Sequence, residues 1–172
     1  MRSLAWLALV IASAGCTRDA DDRPKTLAYI TEAILAPTCG KAECHSTFAQ
    51  TVGDVFDTVV GARYTIVHDP LISLPADQMA PTGSQLYQSI TTGLPSRQGL
   101  SGLVRMPYDA PMPNEDIYLI EAWIAAGAEG AQCIPDNGFA CDGKDLVACT
   151  ADGNFGELQM TCSGSCSNGV CL

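Results

Sequence analysis

Two thiols followed at once by an imidazole, in Cys39-Gly-Lys-Ala-Glu-Cys44-His45, are the residues of this chain best suited to chemistry. Two cysteines and a histidine directly after the second are what covalent haem attachment requires: the thiols meet the two vinyl groups and the imidazole sits under the iron as proximal ligand. The cysteines here are separated by four residues rather than the common two, and closing the longer loop costs little extra entropy. The same residues also suit a plain disulfide beside a surface histidine in an oxidising compartment. Both readings stand on the motif alone.

The other seven of the nine cysteines fall into two further groups. Cys133, Cys141, Cys149, Cys162, Cys166 and Cys171 are separated by 7, 7, 12, 3 and 4 residues. Between them, Asn137-Gly138, Asp142-Gly143, Asp152-Gly153 and Asn168-Gly169 mark tight turns, with short strands such as Leu146 to Cys149 in between. A unit of about 40 residues buries too little apolar area to fold unaided, so three disulfides are expected in residues 131–172. The spacing is not that of a zinc site, and turn chemistry accounts for the Asp residues without calcium.

Cys16 closes a leader. Arg2 supplies a positive charge, Leu4 to Ile11 a short apolar run, and Ala12-Ser13-Ala14-Gly15 the small residues before the cysteine. The run is far below the roughly 20 residues that span a bilayer. The stretch resembles the lipobox of bacterial lipoproteins, although Ser13 stands where those usually carry an aliphatic residue. That resemblance implies acylation of Cys16, with residues 1–15 as signal peptide, and Thr17 in place of Asp implies the outer membrane, on its periplasmic or surface side. Residues 16–24, which include the polar run Thr17 to Pro24, read as a tether.

Loss of the leader removes Arg2 and leaves 8 basic against 19 acidic residues, moving the net charge from −10 to −11. Nucleic acid is excluded as a partner on that balance, whereas a basic redox protein would be steered toward the chain. The pairs Asp21-Asp22 and Glu115-Asp116 fall in the tether and in the first turn of a helix, where solvation and capping explain them. With two histidines and no Ser-His-Asp, phosphate-loop or zinc pattern, the chain has little material for an enzyme.

The cysteines need elements to present them. Leu27, Ile30 and Ile34 recur at helical spacing from Thr26, and Pro37 is expected to stop that helix just before Cys39. Val59 to Val67 reads as extended, His68-Asp-Pro as a turn, Ser84 to Ile90 as a short helix, and Thr92 to Pro113 as a Gly- and Pro-rich loop. Asn114 is placed to cap a last helix whose dipole Glu115 and Asp116 complement. Its apolar stripe is Ile117, Ile120, Trp123 and Ile124, and Gly127 ends it.

From Ile34 to Ala128 the chain resembles a cytochrome c-like domain of exported myxobacterial and planctomycete proteins. The likeness is carried by Ile34-Leu-Ala-Pro-Thr-Cys39 through His45, Ser84-Gln-Leu-Tyr87, Arg105-Met106-Pro107, and Glu115 through Trp123 to Gly127-Ala128. It implies a mainly α fold: a helical haem domain over residues 25–130 with long Gly/Pro-rich loops, followed by the small disulfide-rich β module, whose six-cysteine pattern also recurs in myxobacterial surface proteins. It further implies haem c on Cys39 and Cys44, with His45 and Met106 as axial ligands of the iron. Met112, six residues on in Pro-Met-Pro, and His68, which would give a bis-His site, are the alternatives to Met106, with Met79 behind them.

The implied function is electron transfer by a membrane-anchored monohaem lipoprotein. The rival is a haem-free surface lipoprotein, an interaction module in which Cys39 and Cys44 are bridged.

Overall fold

The computed structural model describes residues 21–95, 103–108 and 110–172. The leader with Cys16 lies outside them, as does most of the Gly-rich loop before Met106.

The first helix, α1 (residues 27–38), starts at Thr26, whose extended backbone and hydroxyl, accepting the Tyr29 amide, make a conventional N-cap. Leu27, Ile30, Ile34 and Leu35 are all buried along one face. Pro37 does not stop this helix. Its ring would strike the carbonyl four residues back and it has no amide hydrogen to give. The chain instead widens into a π-helical turn over Thr31–Leu35, where the Ala36 amide reaches the Thr31 carbonyl, and then completes Ala36–Thr38. The Cys39 and Gly40 amides both return to the Leu35 carbonyl, at 2.7 and 2.8 Å. The helix end thus hands over the first cysteine in a defined position.

Val59 to Val67 is not extended: Val59–His68 is helix α2, capped by the Thr58 hydroxyl accepting from Gly61. Branched side chains favour strands weakly, but Ala62, Thr65 and Ile66 recur at helical spacing and are buried. Core burial overrides the local preference. A short helix α3 (Ala76–Met79) and α4 (Gln85–Thr91) follow, the latter capped by Ser84. Leu94–Pro95 (β1) pairs antiparallel with Leu103–Val104 (β2), joining the two ends of the Gly-rich loop.

Helix α5 (Asn114–Ala125) buries Leu119, Ile120, Trp123 and Ile124, while Ile117 is only partly covered. Asn114 does not cap it; it is already inside the helix, and Pro113 occupies the cap position without a side-chain bond. The first-turn carboxylate is used instead by Arg23, which donates to Asp116 at 2.6 Å, to the Glu115 carbonyl at 2.8 Å and to Asp21 at 2.8 Å. Trp123 donates through Nε1 to the Glu129 carbonyl at 3.0 Å, and the Leu27 amide reaches the same oxygen at 2.9 Å. One carbonyl therefore ties the end of α5 to the start of α1.

The C-terminal module holds a three-stranded antiparallel sheet in the order β3 (Phe139–Asp142), β4 (Asp145–Cys149), β5 (Phe155–Thr161), beside a hairpin of β6 (Cys166–Ser167) and β7 (Val170–Cys171). Asn168 and Gly169 both have positive φ, as the two-residue connection between β6 and β7 demands. Disulfides join Cys133 to Cys149, Cys141 to Cys166 and Cys162 to Cys171. The turn before β5 meets the helical part: Arg63 donates to the Gly130 and Asp152 carbonyls at 2.7 and 2.9 Å, and the Asn154 side chain accepts the Gly130 amide at 2.6 Å.

The expectation of a mainly α protein is corrected. Helix accounts for 38% and strand for 15%. The helices are short and separated by long irregular stretches, and the module supplies most of the strand. Three disulfides fit an extracellular or exported chain, and no helix among the described residues is long and apolar enough to cross a membrane.

Candidate functional site

Residues 39–45 form a loop closed on itself. The Cys44 amide donates to the Lys41 carbonyl at 2.8 Å, and the His45 amide returns to the Cys39 carbonyl at 3.1 Å. Cys39 is buried, Cys44 is exposed, and neither is bridged. Burial pushes the Cys39 thiol above its ordinary range, and the Thr38 hydroxyl, 3.5 Å from its sulfur, opposes this in part.

His45 is held from two sides. Its Nδ1 lies 3.1 Å from the Thr51 carbonyl, and its ring meets Phe56 edge-on with centroids 5.6 Å apart. Burial lowers the His45 pKa, partly offset by the bond to Thr51. The imidazole is thus neutral at pH 7; with Nδ1–H donated to a carbonyl, Nε2 keeps the lone pair that binds a metal. The carbonyl is delivered by a contorted loop. Gln50 and Val52 have φ of 44° and 57°, a left-handed conformation that costs a β-branched residue energy.

Cys39, Cys44 and His45 line a cavity of about 620 Å³, within the ~300–1,000 Å³ usual for small-molecule and cofactor sites. Its walls include Leu35, Phe56, Leu71, Leu86, Ile90, Leu94 and Val104. Met106 also lines it, followed by Pro107 and Tyr108. The Met106 amide donates to the Ser89 carbonyl at 2.7 Å, which seats this segment on α4. Gly93, with φ of 85°, lets β1 start against the Val104 and Arg105 backbone, where an added Cβ would come within 2.8 Å of Val104.

The other candidate ligands lie elsewhere. Met112 is 3% exposed, in the hydrophobic core rather than the cavity lining. His68 has a side chain 59% exposed, stacked on Tyr64 at 4.9 Å with Nδ1 3.3 Å from Asp69. Met79 is 81% exposed. Of these four, Met106 alone shares a cavity with His45. Among the described residues, no group of three or more His, Cys, Asp or Glu side chains is placed to hold a metal ion.

Sequence reasoning missed the parts that shape the site. Thr51, Gly93 and the apolar walls owe their roles to contacts between distant segments, and no local pattern marks them. The cavity therefore combines a neutral imidazole, a thioether and two free thiols within largely apolar walls that also carry Lys41, Glu43 and Asp54, whose buried carboxylate lies 3.9 Å from His45 Nδ1; the arrangement is able to enclose an apolar ring system and bond to it. No protein-family model matches the chain, and no curated protein and no solved structure does either.

Proposed function

We propose that this chain is an exported electron carrier that holds a single haem c through Cys39 and Cys44, with His45 and Met106 as axial ligands. One observation carries the reading: both thiols, the imidazole and one methionine line the same apolar cavity. The donor set suits the group. Imidazole and thioether are the pair found in cytochromes c, and a thioether ligand raises the potential. The haem, when bound, supplies an iron that takes up and releases one electron.

The chain's own residues do the rest. The Thr51 carbonyl fixes the His45 tautomer, the largely apolar walls favour the less charged state of the iron site, and exposed Cys44 sits at the cavity's edge. A haem-free protein with a Cys39–Cys44 disulfide finds no support in two unbridged thiols.

The leader ending at Cys16 supports a lipid anchor, with Thr17 favouring the outer membrane. The net charge, −10 for the full chain and −11 once the leader with Arg2 is removed, favours a basic redox partner. The test is an absorption spectrum of the protein made with cytochrome c maturation machinery. Sharp α and β bands that survive acid-acetone extraction are expected. Colourless protein would end the electron-carrier reading.

A further inference from the structure

Gly40 is the second residue of the Cys39–Cys44 loop, and it lies against another piece of backbone. A Cβ added there would come within 2.7 Å of Asp57 N, 2.8 Å of Asp57 Cα and 2.9 Å of the Phe56 carbonyl carbon. Backbone atoms do not swing aside as the end of a flexible side chain does. The same segment grips the loop further along. The Phe56 amide donates to the His45 carbonyl at 2.6 Å, and the Asp57 carboxylate accepts the Thr47 amide at 2.8 Å and its hydroxyl at 2.9 Å. The segment is itself anchored to α2, the Val55 amide reaching the Thr65 hydroxyl at 2.9 Å. Residues 40–47 are thus clamped at both ends.

The clamp bears on a chemical difficulty. All six cysteines of the module are paired, yet Cys39 and Cys44, five positions apart, are not. A free loop of that length closes readily, and a disulfide needs only that the two Cβ atoms approach in the right geometry. We infer that Gly40 is a positioning residue: its bare Cα lets the loop lie on Phe56 and Asp57, which keeps buried Cys39 and exposed Cys44 as two separate thiols. The inference deepens the haem reading, on which its purpose rests. Each thiol adds across a vinyl group, the sulfur bonding one carbon as the double bond opens and the thiol hydrogen going to the other, with no net oxidation. A bridged pair has no thiol to add.

The test needs no haem. The full chain, as haem-free protein with its module disulfides formed, is incubated with oxidised glutathione, alkylated, digested and mapped by mass. With alkylation done in denaturant, wild type is expected to show no Cys39–Cys44 cross-link, exposed Cys44 carrying at most a mixed disulfide with glutathione. Gly40→Ala is expected to lose both to a Cys39–Cys44 cross-link with its circular dichroism unchanged. Gly83→Ala, at a glycine with no atom within 4 Å of an added Cβ, should behave as wild type. Should Gly40→Ala fail to fold, Asp57→Ala loosens the same clamp without a steric clash and should close the same disulfide. Folded Gly40→Ala or Asp57→Ala protein that, like wild type, forms no Cys39–Cys44 cross-link would overturn the inference. Wild type that bridges Cys39 to Cys44 under the same conditions would overturn it too. Wild type that stays unbridged but takes up no haem would instead defeat the electron-carrier reading and leave the clamp standing.

Discussion

The Nδ1 nitrogen of His45 lies 3.1 Å from the carbonyl oxygen of Thr51, in a ring that burial keeps neutral. The folded-state pKa is therefore depressed below the ordinary 6.5. Above that value both folded and unfolded chains carry neutral His45, and the group contributes nothing to pH dependence. As pH falls through it, the unfolded chain takes up the proton first and the folded state loses stability, until His45 itself protonates. Urea titrations of haem-free protein between pH 7.5 and 5 should show this loss, with a slope of at most ~1.4 kcal/mol per pH unit from one proton. The loss should shrink in His45→Gln.

Met106 and Met112 are six residues apart and should respond in opposite ways. Met106→Ala is expected to abolish the weak charge-transfer band of ferric haem bound to methionine sulfur, while leaving haem attached through Cys39 and Cys44. Met112→Ala should leave the band unchanged but cost about 2–5 kcal/mol in denaturant titrations, because it empties a core position. A band lost with Met112 instead would reassign the ligand, and a bis-His spectrum that lacks the band from the start and is lost only in His68→Ala would put His68 in its place.

Opening the disulfide between Cys133 and Cys149 tests how far the module depends on cross-links. The pair is separated by 16 positions, and restoring that loop's freedom should cost ~3 kcal/mol. The Cys133→Ala/Cys149→Ala protein should melt lower without losing its absorption spectrum. Loss of the haem bands in that variant would mean the module shapes the cavity.

Deleting Ala131 to Leu172 is a harsher form of the same experiment. It removes the Asp152 carbonyl and Asn154 side chain that bind Arg63 and Gly130. Haem incorporation should survive, because none of the described residues that line the cavity lies beyond Tyr108, while the melting temperature falls. Arg63→Ala in the full chain should reproduce part of that fall, about 1–2 kcal/mol for partly exposed hydrogen bonds from a charged donor.

What could be read in advance followed from local rules. Asn168-Gly169 specified its hairpin because a two-residue connection needs positive φ, and Trp123 and Ile124 marked α5 by their period. Val59 to Val67 misled because side-chain branching is a weaker influence than the packing of Ala62 and Ile66. Pro37 misled because a π-turn can absorb the carbonyl clash. Of the site, the Cys39–His45 motif and Met106 were visible in the chain, but Gly40 looked like any loop glycine. Its significance lies in Asp57, a neighbour only after folding. Arg23 looked like tether, since Asp116 is 93 positions away.

That contact between Arg23 and Asp116 also sets a leash. If Cys16 is acylated as proposed, seven peptide steps separate it from Arg23, where the chain meets the folded body, at most ~25 Å when fully stretched. The folded body would then ride just above the lipid headgroups with the start of α5 on its membrane side. A redox partner of the proposed carrier would have to reach it at that height.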